Sequence, residues 1–176
     1  MKGIYNNRAW FILESFGFGI LGIIALILCG LFSQSGGFLY GLIFIIAGGI
    51  WGLRSLITAR APGLLLSLLG AACFIAAGII LFVKANSSEM SFLLYCLAIV
   101  TWIQAVVNFL ISGMRFRSNN WGFLFVSCLV SAAIGVLYVL QPPATTVSWG
   151  VSILFGVNFL FYAGCQFMTA ATASED

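Results

Sequence analysis

The sequence predicts an all-α, polytopic membrane protein with six transmembrane helices, and three observations carry that reading. Hydrophobic residues make up 62% of the 176 positions, against roughly 45–50% in soluble domains. Only 6% of residues are charged. Six predominantly apolar stretches of about 20 residues, the length that crosses a bilayer as a helix, occupy nearly the whole chain. The mean hydropathy of +1.17 agrees, and 17 Phe beside 20 Gly suit lipid-facing bulk alternating with close helix contacts.

The spans follow in order. Span one, 10–32, comes after Lys2 and Arg8 and superficially imitates a signal peptide. Its apolar run exceeds the 7–15 residues of a signal core and ends in "LFSQSGG" without an A-x-A-like cleavage pattern, so it is read as a retained helix. Span two, 38–57, follows the turn "SQSGG"; span three, 63–83, follows "TARAP"; span four, 91–114, follows "KANSSEM". Span five, 121–140, follows "RFRSNN" and stops before Pro142 and Pro143, where a helix cannot continue. Span six, 147–168, follows "QPPATT". No gap holds a soluble domain, so 1–176 reads as one six-helix transmembrane domain.

Orientation follows from Lys and Arg in short connections. Lys2, Arg8, Arg54, Arg60, Arg115 and Arg117 fall on one side, and Lys84 with Glu89 on the other. Arg8, Arg60, Arg115 and Arg117 are the expected topology-setting residues, and they place both termini in the cytoplasm. Scattered cations form no stripe of the kind nucleic acid requires, so no nucleic-acid partner is expected. The lipid bilayer is the expected partner, with a second copy or another membrane protein left open.

The sequence also has an internal periodicity. An arginine stands shortly before each odd-numbered span, in "NNRAW", "TARAPG" and "RFRSNNWG", with Trp10 and Trp121 at equivalent interfacial positions. "AAGIILFVKA" and "AIGVLYVLQP" align Gly78 with Gly135, and Gly22 matches more loosely. The unit is a helical hairpin of 52 to 57 residues, giving repeats of about 8–59, 60–114 and 115–170 in one orientation. Such parallel repeats are related by an axis along the membrane normal.

With these hairpins the chain resembles the HdeD family of bacterial acid-resistance membrane proteins. The resemblance rests on "WFILESFGFGILGIIALIL", "GLLLSLLGAACFIAAGIILF" and "WGFLFVSCLVSAAIGVLYVLQPP". Only the third hairpin keeps the turn proline, as Pro142, and Ala85 stands in its place in the second. The resemblance implies a multi-pass protein of the bacterial inner membrane contributing non-catalytically to acid or general stress resistance. It maps no catalytic residue onto the chain.

With no histidine, metal sites of the HExxH kind and Ser-His-Asp or Cys-His catalysis are excluded. Cys29, Cys73, Cys96, Cys128 and Cys165 lie in apolar segments without CxxC spacing. No cofactor, metal or enzyme activity is expected. Small-residue pairs at Gly48 and Gly52, Ser131 and Gly135, and Ser152 and Gly156 are candidates for close helix packing.

Polar side chains within spans need partners. Gln104 and Asn108 share one helix face, as do Asn158, Tyr162 and Gln166. They read either as interhelical hydrogen bonds or as the lining of a hydrophilic path. Glu14 and Arg54 lie at comparable depth and either pair or reach separate interfaces. Glu89 is the one carboxylate expected outside, the single candidate for direct external pH sensing. Two further functions stay open: a channel or transporter for a small neutral solute, and a membrane scaffold or assembly subunit.

Overall fold

The computed structural model describes residues 8–27, 32–58, 63–83, 90–114, 121–140 and 147–172, with 32–37, 90–91 and 147–149 described by backbone alone. The described residues form six helices and no strands: α1 (Arg8–Ile27), α2 (Phe32–Ile57), α3 (Leu64–Val83), α4 (Met90–Met114), α5 (Trp121–Leu140) and α6 (Val147–Ala171). Each contains 20 or more residues apolar enough to span a membrane. Helix is the form the environment demands, because hydrocarbon offers backbone N–H and C=O groups no partner outside the segment. The chain is a multi-pass membrane protein.

The largest difference from the sequence expectation lies at the start of α2: Phe32, expected to close span one, belongs to α2, and "SQSGG" forms helical turns of α2 rather than a connection. The apolar part of that helix does begin at Phe38. Hydropathy registers the lipid-crossing portion of a helix, and a polar opening turn such as this one is invisible to it. At the start of α3, Gly63 has φ +89°, a left-handed conformation that glycine adopts at no steric cost. Its carbonyl accepts from Ser67 N at 2.9 Å, and a Cβ there would meet Ile111 Cγ1 at 2.9 Å.

The helices close into a ring in chain order, with α6 returning to α1. Contact around the ring alternates. The broad seams are α2–α3, α1–α6 and α4–α5, and the thin ones are α5–α6, α3–α4 and α1–α2. The sequence-defined hairpins α1–α2, α3–α4 and α5–α6 are thus the looser neighbours, and each helix packs most closely on one from the adjacent hairpin or, for α1 and α6, from the opposite end of the chain. The even-numbered helices are the more interior: 50–56% of their spanning residues are buried, against 33–39% for the odd-numbered ones. α2 also touches α6 directly.

Glycines set the broad seams. A Cβ on Gly78 would lie 2.7 Å from Gly41 O, and one on Gly41 equally close to Gly78 O. A Cβ on Gly22 would lie 3.0 Å from Gly156 O. Gly135 lies against the Trp102 ring, closer than a side chain would permit. Between the seams the middle of the bundle is aromatic. Phe18, Phe44, Phe74, Phe155 and Phe159 are almost fully buried, with Phe155–Phe159, Phe18–Phe159 and Phe44–Phe74 centroids 4.4, 5.1 and 5.3 Å apart. Tilted and edge-to-face pairs like these are worth about 0.5–1.5 kcal/mol beyond the area they bury.

Candidate functional site

The intramembrane polar side chains converge on the bundle interior in two clusters. The first, toward the end carrying the α2–α3 and α4–α5 connections, is built on charge. Arg54 Nε lies 3.0 Å from Glu14 Oε2, and Arg54 Nη2 donates to Glu14 Oε1 at 3.3 Å. Tyr162 OH donates to the same Oε1 at 3.2 Å. The Arg54 guanidinium also lies 4.8 Å from the centroid of the Phe11 ring, a cation–π contact. Glu14 and Arg54 are 1% and 5% exposed, so of the two sequence alternatives the pair forms.

Local sequence places both partners. Arg54 occupies the last turn of α2, where a cation offsets the negative end of the helix dipole. The hydroxyls of Ser55 and Thr58 bond back to Trp51 O and Arg54 O at 2.8 and 2.7 Å, satisfying carbonyls near that end. Glu14 lies on the buried face of α1 with Phe11, Ser15, Phe18 and Leu21. Ser15 Oγ on the same face donates to Ala163 O at 2.7 Å, fixing α1 against α6.

The second cluster is neutral. Asn158 Nδ2 on α6 donates to Gln104 Oε1 on α4 at 3.1 Å, and Asn158 Oδ1 accepts from Ser131 Oγ on α5 at 2.9 Å. One amide therefore joins three helices. One turn from Gln104, Asn108 Nδ2 donates to Ser127 Oγ at 3.3 Å. Nearer the opposite end Tyr40 OH and Ser152 Oγ share a hydrogen bond of 2.7 Å between α2 and α6. All these residues are buried.

Between the clusters lies a cavity of about 10 Å³ lined by Trp51, Arg54, Asn108, Tyr162 and Gln166, among others, a size that admits about one water. Trp51 Nε1 and Gln166 Oε1 are buried without a hydrogen-bond partner among the described residues. Both belong to the lining of that cavity, and as donor and acceptor they match the acceptor and donor capacities of a single water.

The small-residue pairs all face inward. A Cβ on Gly48 would lie 2.9 Å from Ala71 O on α3, while Gly52 has room at 3.6 Å from Ala71 Cβ. Ser131 and Ser152 use their hydroxyls as described, and Gly135 and Gly156 lie at the α4–α5 and α1–α6 seams. Arg8 is exposed at the start of α1. Arg60, Arg115, Arg117, Glu89, Lys84 and Pro142 lie outside the described residues. Among those described, no group of His, Cys, Asp and Glu could hold a metal.

Sequence reasoning missed Trp51, Tyr40, Ser127 and Phe11. The aromatics pass for lipid-facing bulk, and a lone serine in a span carries no signal about which helix it faces. Comparison with family models, characterised proteins and solved structures gives no match.

Proposed function

We propose that the protein is a non-enzymatic, inner-membrane stress protein, similar in kind to the HdeD family, which contributes to acid or general stress resistance as a sealed helical bundle rather than a conduit. The observation that favours this over transport is the way the polar side chains close on one another. Gln104, Asn108, Asn158, Ser127 and Ser131 are joined by direct hydrogen bonds, and the cavity beside them has room for about one water. The aromatic cluster of Phe18, Phe44, Phe74, Phe155 and Phe159 lies beyond. The scaffold reading has less support, since the small-residue faces it would use are occupied within the bundle.

The three-hairpin repeat belongs to this reading. Gly22, Gly78 and Gly135, spaced 56 and 57 residues apart, each lie at one broad seam against an even-numbered helix. That correspondence, with the alternation of broad and thin seams, supports a pseudo-threefold axis along the membrane normal. Both termini are assigned to the cytoplasm on the charge distribution, and a C-terminal alkaline phosphatase fusion should be inactive.

The test is a strain lacking the protein, challenged at low pH and complemented on a plasmid. The reading requires reduced survival of the deletion strain and full rescue by wild type. It also requires rescue by Glu89→Gln, because stress resistance here does not depend on an external carboxylate. Unchanged survival of the deletion strain under acid, oxidative and osmotic challenge would overturn it.

A further inference from the structure

At one level of the bundle the three inner helices each contribute a side chain with polar atoms to the same cavity of about 10 Å³: Trp51 from α2, Asn108 from α4 and Gln166 from α6. They are 57 and 58 residues apart, so they hold equivalent places in the repeat proposed above. Glu14, Gly70 and Ser127 on the outer helices correspond in the same way, yet the three places are settled differently. The Trp51 ring fills the room left by Gly70, where a Cβ would fall 2.5 Å from its Cη2. Asn108 donates to Ser127 Oγ at 3.3 Å. Glu14 is engaged by Arg54 and Tyr162. Trp51 Nε1 and Gln166 Oε1 are left without a hydrogen-bond partner among the described residues, although the two side chains belong to residues only 1% and 2% exposed.

We propose that this cavity is a binding site for one water molecule, held where α2, α4 and α6 converge, which accepts from Trp51 Nε1 and donates to Gln166 Oε1. Size, hydrogen bonding and charge together select the ligand. A cavity holds a water from roughly 10–15 Å³ upward, so this one has no room for a second. An unpartnered donor beside an unpartnered acceptor calls for a molecule that serves both, and buried waters make about two to four such bonds. Asn108, Tyr162 and Arg54 supply the rest of the polar lining. Arg54 is already countered by Glu14 at 3.0 Å, so an ion would bring an unbalanced charge into the interior, where its lost hydration is not recovered. Leaving both groups unpaired costs more than immobilising one water. The water adds a bridge between α2 and α6 at this end of the bundle, as Tyr40 and Ser152 do nearer the other. The site stands on the cavity and the two unpartnered groups, and holds with or without the repeat and the stress-resistance role.

The test is nuclear magnetic resonance of the full-length protein in lipid nanodiscs, with isotope-labelled tryptophan and with Trp51→Phe used only to assign the Trp51 indole signal. That signal should show a cross-peak to water of opposite sign in laboratory-frame and rotating-frame Overhauser spectra, as a held water gives and bulk water does not. Gln166→Met keeps much of the side chain's bulk without its acceptor and should abolish the cross-peak. Tyr162→Phe removes the only hydroxyl of the lining and should leave it in place, which separates a bound water from an exchanging tyrosine proton. The wild-type spectrum decides even where a variant fails to fold: a Trp51 indole without the cross-peak, or with one of the bulk-water kind, would overturn the site. So would a cross-peak that survives Gln166→Met or disappears with Tyr162→Phe in protein whose other indole signals are unchanged.

Discussion

The two buried polar clusters solve the same problem in different ways. The neutral cluster around Asn158 satisfies its amide and hydroxyl groups with one another, whereas the charged cluster around Glu14 draws in a tyrosine, an aromatic ring and a cavity of water size. Neutral groups in hydrocarbon need a matching donor or acceptor and little more. Charges must also recover the free energy of leaving water, which a single contact does not supply. The charged cluster therefore recruits from α1, α2 and α6, and removing one of its members should disturb the bundle more than removing a member of the neutral one.

That ranking can be broken by mutation. Arg54→Met leaves Glu14 without its counter-charge and should cost about 3–5 kcal/mol of unfolding free energy, read by chemical unfolding in detergent. The double variant Glu14→Leu with Arg54→Met should recover much of that loss. If instead the double variant is as unstable as the single, packing rather than charge holds this end together. Next in size, Gly78→Val forces a side chain onto Gly41 O, which lies 2.7 Å from the Cβ position. Over-packing of this kind costs about 1–3 kcal/mol, and a neutral result would mean the α2–α3 seam yields easily.

The neutral cluster should respond more mildly. Asn158→Leu unpairs Gln104 and Ser131 together and should cost about 1–2 kcal/mol, and Ser127→Ala, which removes the bond from Asn108, about 0.6 kcal/mol. A double-mutant cycle between Asn158 and Gln104 isolates their 3.1 Å bond from the rest. Coupling close to zero would place their stabilisation elsewhere.

Much of the fold is written in hydropathy, because lipid solvation selects runs of about 20 apolar residues regardless of what they touch. The same insensitivity hides which helices meet. Nothing local to Gly22 or Gly156 announces that the first and last helices share a broad seam, and neighbours in the ring follow from packing shape alone. Polarity was readable too: Glu14, Arg54, Gln104, Asn108 and Asn158 stand out against an apolar background, and a charge in a span implies a partner. Trp51 does not stand out. A buried tryptophan and a lipid-facing one have the same letter, and only its 1% exposure and unpartnered Nε1 reveal its place beside the cavity. The start of α2 at Phe32 was hidden for the opposite reason, as a polar, glycine-containing turn of helix outside the apolar run.

If the interior polar groups bind helices together rather than carry a solute, proteoliposomes should be no more permeable than empty vesicles to water and to small neutral solutes such as urea and glycerol. Stopped-flow light scattering should give equal rates for empty vesicles, wild type and Asn108→Leu. A protein-dependent flux that Asn108→Leu abolishes would show instead that these groups line a conducting path.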